Sequence, residues 1–224
     1  MNVKRLHHWK LSCTRARAIQ TALAEKVEFC SFKGMPHLVA GLDCAFSKDG
    51  KRICAVAIIL KFGTFEPVET STAVAKASFP YIPGLLSFRE APVCIKAARK
   101  LKISPDVFLI DGQGIAHPRR LGIASHLGLA FDMPAIGCAK SRLTGSFDDV
   151  GQQKGDYSLL KDGSETIGAV LRTRTNVKPL FVSVGNKCLL KDAVRITLAC
   201  AVKYRLPEPT RLAHQMVSKL RLEI

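Results

Sequence analysis

The chain has 224 residues, of which 47% are hydrophobic, with 16 Gly and 11 Pro. This composition is ordinary for a globular protein, and the length predicts a single domain over residues 1–224. The formal net charge of +16 exceeds what solubility requires and favours a polyanionic partner such as nucleic acid. A basic surface that is merely solvated is the competing interpretation of the charge.

The eight cysteines contain no Cys-x-x-Cys pair, and most have apolar neighbours, as in Ile53-Cys54-Ala55. This pattern predicts small buried side chains in a reducing compartment and argues against a thiolate zinc site. Met1–Lys10 is too polar for a signal peptide, and no apolar run is long enough to span a bilayer. We therefore expect a cytoplasmic monomer with no membrane partner.

The first half of the chain predicts a helix followed by an antiparallel meander. Apolar residues recur at helical spacing over Leu11–Val27. The strands of the meander are predicted at His37–Phe46, Arg52–Phe62 and Thr70–Phe79, and the Asp-Gly pair in segment 47–51 favours a tight hairpin between the first two.

The second half alternates strands and helices. The pattern becomes helical over Leu86–Leu101, where Pro92 is tolerable only near the first turn. Val107–Ile110 is continuously apolar and precedes a helical stretch at Arg119–Phe131, which is typical of a buried strand that leads into a crossover helix. Further strands are predicted at Ala135–Ala139, Ile167–Arg172 and Leu180–Val184, and further helices at Lys191–Tyr204 and Pro209–Leu222. The whole predicts an α/β fold in which helices flank a mixed sheet, an antiparallel meander plus parallel strands.

Two aspartates stand out because each meets an apolar strand. Asp43 interrupts the run Leu38–Phe46, and Asp111 directly follows Val107–Ile110. An ionised carboxylate in such a place costs several kcal/mol unless a cation or hydrogen-bond donors compensate it. Adjacent strands would place the two acids side by side, where Mg²⁺ or Mn²⁺ would relieve their repulsion. For either acid alone, a turn-capping role is about as well supported.

Two other segments are less specific when taken alone. Glu90 is placed in the opening turns of a predicted helix, where an acid often serves only the helix dipole. The segment 112–120 has glycines at Gly112 and Gly114 that permit close backbone approach, and His117 with the neighbouring arginines supplies donors for phosphate. A plain glycine-rich turn is the competing interpretation, and no Walker loop pattern occurs.

Taken together, these segments closely resemble the endonuclease V family of deoxyinosine-directed endonucleases, which have a ribonuclease H-like fold. The resemblance covers most of the chain from Val39 to about His214. Its most specific strings are Pro80-Tyr81-Ile82-Pro83-Gly84 and the run from Asp111 to Arg120. Weaker similarity lies in the segments 41–43, 88–90, 126–128, 137–141 and 168–174.

The resemblance implies a catalytic role for five residues. Asp43 and Asp111 would ligate Mg²⁺, with Mn²⁺ as a substitute, and Glu90 would act on the metal or through a bound water. Lys140 would neutralise charge at the cleaved phosphate, although an ordinary strand-end lysine is the alternative. His214 would be an active-site histidine, whereas its position beside an apolar helical stripe alone indicates a bystander.

The resemblance also implies how a damaged base would be held. Tyr81 and Pro83 would form a wedge in the duplex, and a tyrosine between prolines in a loop already favours an exposed rigid tip. Backbone groups at four glycines would close on the flipped base, and His117 would contact phosphate or orient a carboxylate. The glycines are Gly84, Gly112, Gly114 and Gly137, and the candidate pocket walls are Leu86, Ile123 and Leu143.

The sequence therefore predicts a metal-dependent DNA repair endonuclease. It would cut on the 3′ side of a deoxyinosine, one nucleotide removed, and leave 5′-phosphate and 3′-hydroxyl ends. Its partner would be DNA with deoxyinosine or other deaminated or distorted sites. The alternatives are a nuclease of the same fold for inosine-containing RNA or for nucleic-acid structure, and a basic nucleic-acid-binding protein without catalysis.

Overall fold

A computed structural model describes all 224 residues. The strands form one continuous mixed sheet, and helices cover both of its faces. The strands are β1 (Leu38–Phe46), β2 (Arg52–Lys61), β3 (Pro67–Lys76), β4 (Val107–Ile110), β5 (Ala135–Ala139), β6 (Tyr157–Asp162), β7 (Glu165–Leu171) and β8 (Leu180–Asn186). The helices are α1 (Cys13–Ala24), α2 (Leu86–Arg99), α3 (Ile123–Phe131), α4 (Leu190–Cys200) and α5 (Glu208–Leu220).

The eight strands lie in the order β3-β2-β1-β4-β5-β8-β7-β6. β1, β4 and β5 run parallel to one another, and every other neighbouring pair is antiparallel. The predicted mixed sheet, an antiparallel meander joined to parallel strands, is confirmed. Because β1, β4 and β5 are parallel neighbours, their carboxyl ends meet at one edge of the sheet.

Alternation along the central strands divides the core into two layers. Phe108 and Ile110 of β4 pack on one face with residues of α2 and α3, whereas Val107 and Leu109 pack on the other with residues of α4 and α5. The N-terminal segment covers part of the first layer, and the amino group of Met1 donates to the carbonyl of Leu101 at 2.6 Å. None of the helices combines the length and apolar character needed to cross a bilayer.

Pro92 lies well inside α2, so the expectation that it would fall near the first turn is wrong. A proline there removes one intrahelical hydrogen bond and costs about 3 kcal/mol in a helix. The neighbouring residues Ala91, Val93 and Cys94 are all buried in the core between α2 and the sheet. Tertiary packing of this face therefore outweighs the local preference.

The predicted start of one helix was wrong, and one strand was missed. α3 begins at Ile123 rather than Arg119, because residues 112–122 fold back on themselves and the amide of Gly122 donates to the carbonyl of Gly114 at 2.9 Å. β6 was not predicted. It is an edge strand in which only Leu160 is fully buried, so its apolar alternation is weak, although Asp162-Gly163 is a hairpin signal.

Candidate active site

Three polar side chains meet where the parallel strands end. Asp43 lies in β1, Asp111 directly follows β4, and Lys140 directly follows β5. The register pairs Leu42 with Ile110, so the next residues along the two strands are the two aspartates. The structure thus places Asp43 beside Asp111, as the pattern of apolar strands predicted.

Each aspartate is bound by a side chain from another element, Asp43 by His214 and Asp111 by Lys140. Nδ1 of His214, from α5, donates to Oδ2 of Asp43 at 2.8 Å, and the amide of Cys44 donates to Oδ1 of the same carboxylate at 2.7 Å. Nζ of Lys140 forms an ion pair with Oδ2 of Asp111. The aspartate side chains are only 9% and 16% exposed, whereas those of Lys140 and His214 are 37% and 47% exposed. The site is therefore open on the side where a polyanion would approach.

Gly41 determines how close α5 comes to this edge. It lies two residues before Asp43 on the same face of β1, and a Cβ at Gly41 would fall 1.9 Å from the carbonyl oxygen of Pro209. Only glycine lets the first turn of α5 lie against the strand. This contact sets the height of His214 above Asp43.

Glu90 lies near the aspartates on α2, which packs on the face of the sheet opposite to α5 and His214. It lies beyond the first turn of α2, so a helix-dipole role does not account for it. Burial raises the pKa of Glu90 to about 7, and the charges of Asp43 and Asp111 add to the shift. Burial, then the charge of Asp111, raises the pKa of Asp43 to about 6, against the opposing hydrogen bond from His214. Three acids thus share one poorly solvated region.

A divalent cation fits this arrangement. Asp43, Asp111 and His214 each present a ligand atom, and these atoms all lie within 4.8 Å of one another. The two carboxylates supply the oxygen ligands that Mg²⁺ and Mn²⁺ prefer, and no thiolate belongs to the group. The raised pKa values of Asp43 and Glu90 show that keeping these carboxylates ionised is costly. A cation bound there would lower this cost.

A cleft of about 460 Å³ extends from this edge to the loop of residues 80–84. Its far rim carries Tyr81, which is 69% exposed, together with Pro83, which is also exposed. The predicted site residues that line the cleft are Asp43, Tyr81, Pro83, Gly84, Leu86, Glu90, Asp111, Gly112, His117, Ile123, Lys140 and Leu143. The edge that carries the two aspartates and the predicted wedge therefore bound one cavity, whose volume is within the usual range of ligand pockets.

His117 lines the cleft but has both ring nitrogens engaged within the protein. Its Nε2 donates to the carbonyl of Gly84 at 3.1 Å, and its Nδ1 accepts from the amide of Arg119 at 3.0 Å. Burial, reinforced by the charge of Arg119, lowers the pKa of His117 to about 4. The ring is thus neutral at physiological pH and holds the loop, rather than offering a positive charge to phosphate.

Gly114 and Gly137 were expected to contact the base, but neither lines the cleft. A Cβ at Gly114 would fall 2.0 Å from the carbonyl oxygen of Val184, and one at Gly137 would fall 2.5 Å from the amide of Gly114. Both positions allow the loop that follows Asp111 to lie directly on β5 and β8. They shape the floor of the cleft from below.

Several cleft residues were missed in the sequence. They are Gln20, Cys44, Ile82, Ser87, Gln113, Leu121, Gly122, Ala139, Ser141 and Arg142. One had a usable signal: Gln20 falls at helical spacing between Ala16 and Leu23, and a polar residue inside an apolar stripe requires a partner. Cys44 had none, because a cysteine in an apolar strand is typical of a core.

The fold and this site define a class of protein: an α/β protein whose sheet edge carries a pair of acids that could hold a metal ion, on a chain of formal charge +16. That combination is typical of metal-assisted nucleases. The endonuclease V family model matches residues 21–215, which is most of the chain. The endonuclease V of Dehalococcoides mccartyi is 46% identical over 220 residues, which cover 98% of this chain and 99% of that protein. The chain belongs to the endonuclease V family, a family of metal-dependent nucleases.

Solved structures of the family share the fold. The crystal structure of endonuclease V from Streptomyces avermitilis is 40% identical, with a TM-score of 0.91, and the match covers 96% of this chain and 95% of that one. The structure of Ciona intestinalis endonuclease V in complex with a 24mer DNA containing an inosine followed by a ribo-adenosine is 28% identical, with a TM-score of 0.79 over 92% and 96% of the two chains. The ribonuclease H-like mixed sheet predicted from the sequence is thus confirmed.

Proposed function

We propose that the chain is a DNA repair endonuclease that recognises deoxyinosine and hydrolyses the phosphodiester bond one nucleotide beyond the lesion on its 3′ side. The observation that carries the proposal is the continuity of the cleft from Asp43 and Asp111 at one end to the exposed Tyr81 at the other. One end has the chemistry for phosphodiester hydrolysis, and the other has a rigid aromatic tip for a duplex. The inosine-containing DNA bound by the Ciona intestinalis relative supports the same substrate.

In this proposal Asp43 and Asp111 hold Mg²⁺, for which Mn²⁺ can substitute, and His214 orients the Asp43 carboxylate through its Nδ1. A metal held there would supply Lewis-acid chemistry for the phosphate, the water nucleophile and the departing 3′-oxygen. Lys140 keeps Asp111 in place and presents its remaining donors to the phosphate. Glu90, which is buried close to both aspartates, would orient the attacking water and accept its proton. The products carry 5′-phosphate and 3′-hydroxyl ends.

The other end of the cleft would supply lesion specificity. Tyr81 and Pro83 enter the duplex at the space left by the extruded base, and unstacking a base pair costs a few kcal/mol. The backbone near Gly84 and Gly112 closes on the hypoxanthine, with Leu86, Ile123 and Leu143 as walls of the cleft. The proposal includes a single cytoplasmic domain over residues 1–224 that acts as a monomer; the continuous eight-stranded sheet supports the single domain.

The deciding experiment uses an end-labelled duplex oligonucleotide with one deoxyinosine, incubated with the protein in Mg²⁺ or in chelator. We expect one nick, displaced by one nucleotide on the 3′ side of the lesion, and no nick in chelator or on the matched adenine duplex. A protein that leaves the substrate intact, or that cuts it equally well in chelator, contradicts the proposal. A protein that binds DNA without cutting it is the non-catalytic alternative.

Inosine-containing RNA is the second candidate substrate. The DNA in the Ciona intestinalis complex has a ribonucleotide directly after the inosine, so that relative accommodates a 2′-hydroxyl at this position. Comparing kcat/KM for matched DNA and RNA strands with one inosine each decides between the two. Preferred cleavage of the RNA would replace the DNA repair assignment but leave the metal site unchanged.

A further inference from the structure

Gln20 is a polar side chain buried to 1% exposure in the middle of the apolar face of α1. It contributes to the wall of the cleft, although none of the five residues with a proposed catalytic role lies on α1. Burying an amide without partners costs about 1–3 kcal/mol, so a glutamine at this position needs hydrogen bonds.

Its amide group joins the two loops that form one end of the cleft. Nε2 donates to the carbonyl of Gly84 at 3.0 Å, in the loop that carries Tyr81, and to the carbonyl of Leu121 at 2.7 Å, in the loop that follows Asp111. Oε1 accepts from Nε of Arg119 at 2.5 Å. Gln20 thus uses both ends of its amide to fix one loop relative to the other.

The carbonyl of Gly84 is the point where these contacts converge. Besides Gln20, it accepts from Nη2 of Arg119 at 2.8 Å and from Nε2 of His117 at 3.1 Å. Gly84 has a φ of +77°, and a Cβ there would fall 2.6 Å from Nη2 of Arg119, so only glycine permits the cluster. Because Nε of Arg119 is held by Gln20, the guanidinium is oriented toward Gly84 by the glutamine.

The loop that ends at Gly84 has one other anchor, the packing of the partly buried Ile82 against the apolar cluster of Ala16, Phe79, Leu85 and Phe88. Tyr81 and Pro83 are exposed, and the backbone hydrogen bond nearest the tip is local, from the amide of Leu85 to the carbonyl of Ile82 at 2.9 Å. A tip that must separate stacked bases transmits force to its attachment point. The polar attachment point here is the Gly84 carbonyl with its three donors.

We propose that Gln20 is a positioning residue that keeps the loop of residues 80–84 rigid while Tyr81 enters a duplex, and so sets the preference for lesions in double-stranded DNA. This inference rests on the proposed function. Rigidity of the loop matters only where a neighbouring base pair must be opened, since a single strand offers no duplex to separate. Gln20 is therefore needed for duplex substrates and dispensable for single strands.

The test compares Gln20→Met and Gln20→Glu with wild type on duplex and single-stranded deoxyinosine oligonucleotides of the same sequence. Both variants keep the approximate side-chain length and remove the Nε2 donor. We expect kcat/KM on the duplex to fall about tenfold or more, because both variants leave the Leu121 carbonyl without its Nε2 donor and Gln20→Met also leaves Nε of Arg119 without its acceptor. On the single strand, kcat/KM should change less than about threefold. Gln153→Met, an exposed glutamine in a distant loop, is the matched control and should leave both values unchanged.

A second experiment measures the entry of Tyr81 into the duplex directly. With 2-aminopurine placed next to deoxyinosine in the duplex, and chelator present to prevent cutting, wild type and Gln153→Met should raise the fluorescence on binding. The Gln20 variants should bind with a smaller rise. Equal losses on duplex and single strand, an unchanged duplex rate, or failure of both variants to fold would each overturn the proposal. Failure of the proposed function is distinguished by wild type, which would then cut neither substrate.

Discussion

Nδ1 of His214 donates to Oδ2 of Asp43 at 2.8 Å, and this contact joins the last helix of the chain to its central strand. Asp43 has its other carboxylate oxygen bound by the amide of Cys44, so its orientation is fixed from two sides. An oriented carboxylate loses little freedom when it binds a cation, which favours tight and geometrically defined binding.

Asp43→Ala should reduce cutting of deoxyinosine DNA by at least about a hundredfold, because a lost metal ligand removes several kcal/mol of transition-state stabilisation. Affinity for the same duplex, measured in chelator by fluorescence anisotropy, should stay within about threefold, since the basic surface supplies most of the binding. Asp149→Ala, which removes an exposed acid from a loop, is the charge-matched control and should behave as wild type. Normal turnover by Asp43→Ala would exclude Asp43 from the mechanism.

Gly41→Ala should disturb the site without altering any polar group. The new Cβ would overlap the carbonyl oxygen of Pro209, and overpacking of this kind costs about 1–3 kcal/mol. We expect a lower thermal midpoint and a weaker apparent affinity for Mg²⁺ in activity titrations, because α5 and His214 move away from Asp43. If the thermal midpoint falls while the Mg²⁺ titration is unchanged, the position of α5 does not govern the metal site.

Tyr81→Ala should leave stability unchanged, since the side chain is 69% exposed and its loss creates no cavity. It should reduce kcat/KM on duplex deoxyinosine by roughly tenfold and have a smaller effect on single strands, because stacking of one aromatic ring on a base contributes about 1–3 kcal/mol. Tyr81→Phe keeps the ring and should retain most of the duplex activity. Equal losses for the Ala and Phe variants would mean that the hydroxyl group, not the ring, is important.

Much of the site could be predicted because its acids interrupt or end apolar strands. Asp43 and Asp111 were identified from Leu38–Phe46 and Val107–Ile110 alone, and parallel pairing of β1 with β4 then brings them together. Glu90 could not be identified in this way. It sits in a helix whose pattern is amphipathic, and its position beside the aspartates depends on how α2 packs on the sheet.

Apart from the polar Gln20 inside the apolar stripe of α1, the contacts that hold the cleft together had no local signal. The three donors to the Gly84 carbonyl come from α1 and from the loop of residues 117–119, which are remote in sequence from Gly84. The proximity of α5 to β1 depends on the absence of a side chain at Gly41, which a pattern of apolar residues does not reveal. The fold shows the same limit of sequence patterns at two places. Packing of α2 on the sheet outweighs the unfavourable effect of Pro92 in the helix, and β6 forms by pairing at the sheet edge although its apolar pattern is weak.

The acids of the site should make the metal-free protein less stable as the pH rises. The pKa of Asp43 is raised from 3.8 to about 6 and that of Glu90 from 4.5 to about 7, chiefly by burial. Each group therefore binds its proton more tightly in the folded state than in the unfolded state. Between about pH 4 and pH 7 the folded state carries more protons, so the free energy of unfolding decreases with rising pH, by an amount on the order of a few kcal/mol.

This pH dependence can be isolated by comparing wild type with Asp43→Asn/Glu90→Gln in chelator. Urea unfolding from pH 4.5 to pH 7.5 should show that the stability of wild type relative to the variant falls as the pH rises, because the variant has no proton to lose at either position. Mg²⁺ binds the ionised carboxylates, so adding it to wild type should stabilise the protein more at pH 7.5 than at pH 5. The double variant should show no such gain. A difference between the two proteins that does not vary with pH would mean that these carboxylates are solvated and already ionised in the free enzyme, and the strain that a bound cation is proposed to relieve would not exist.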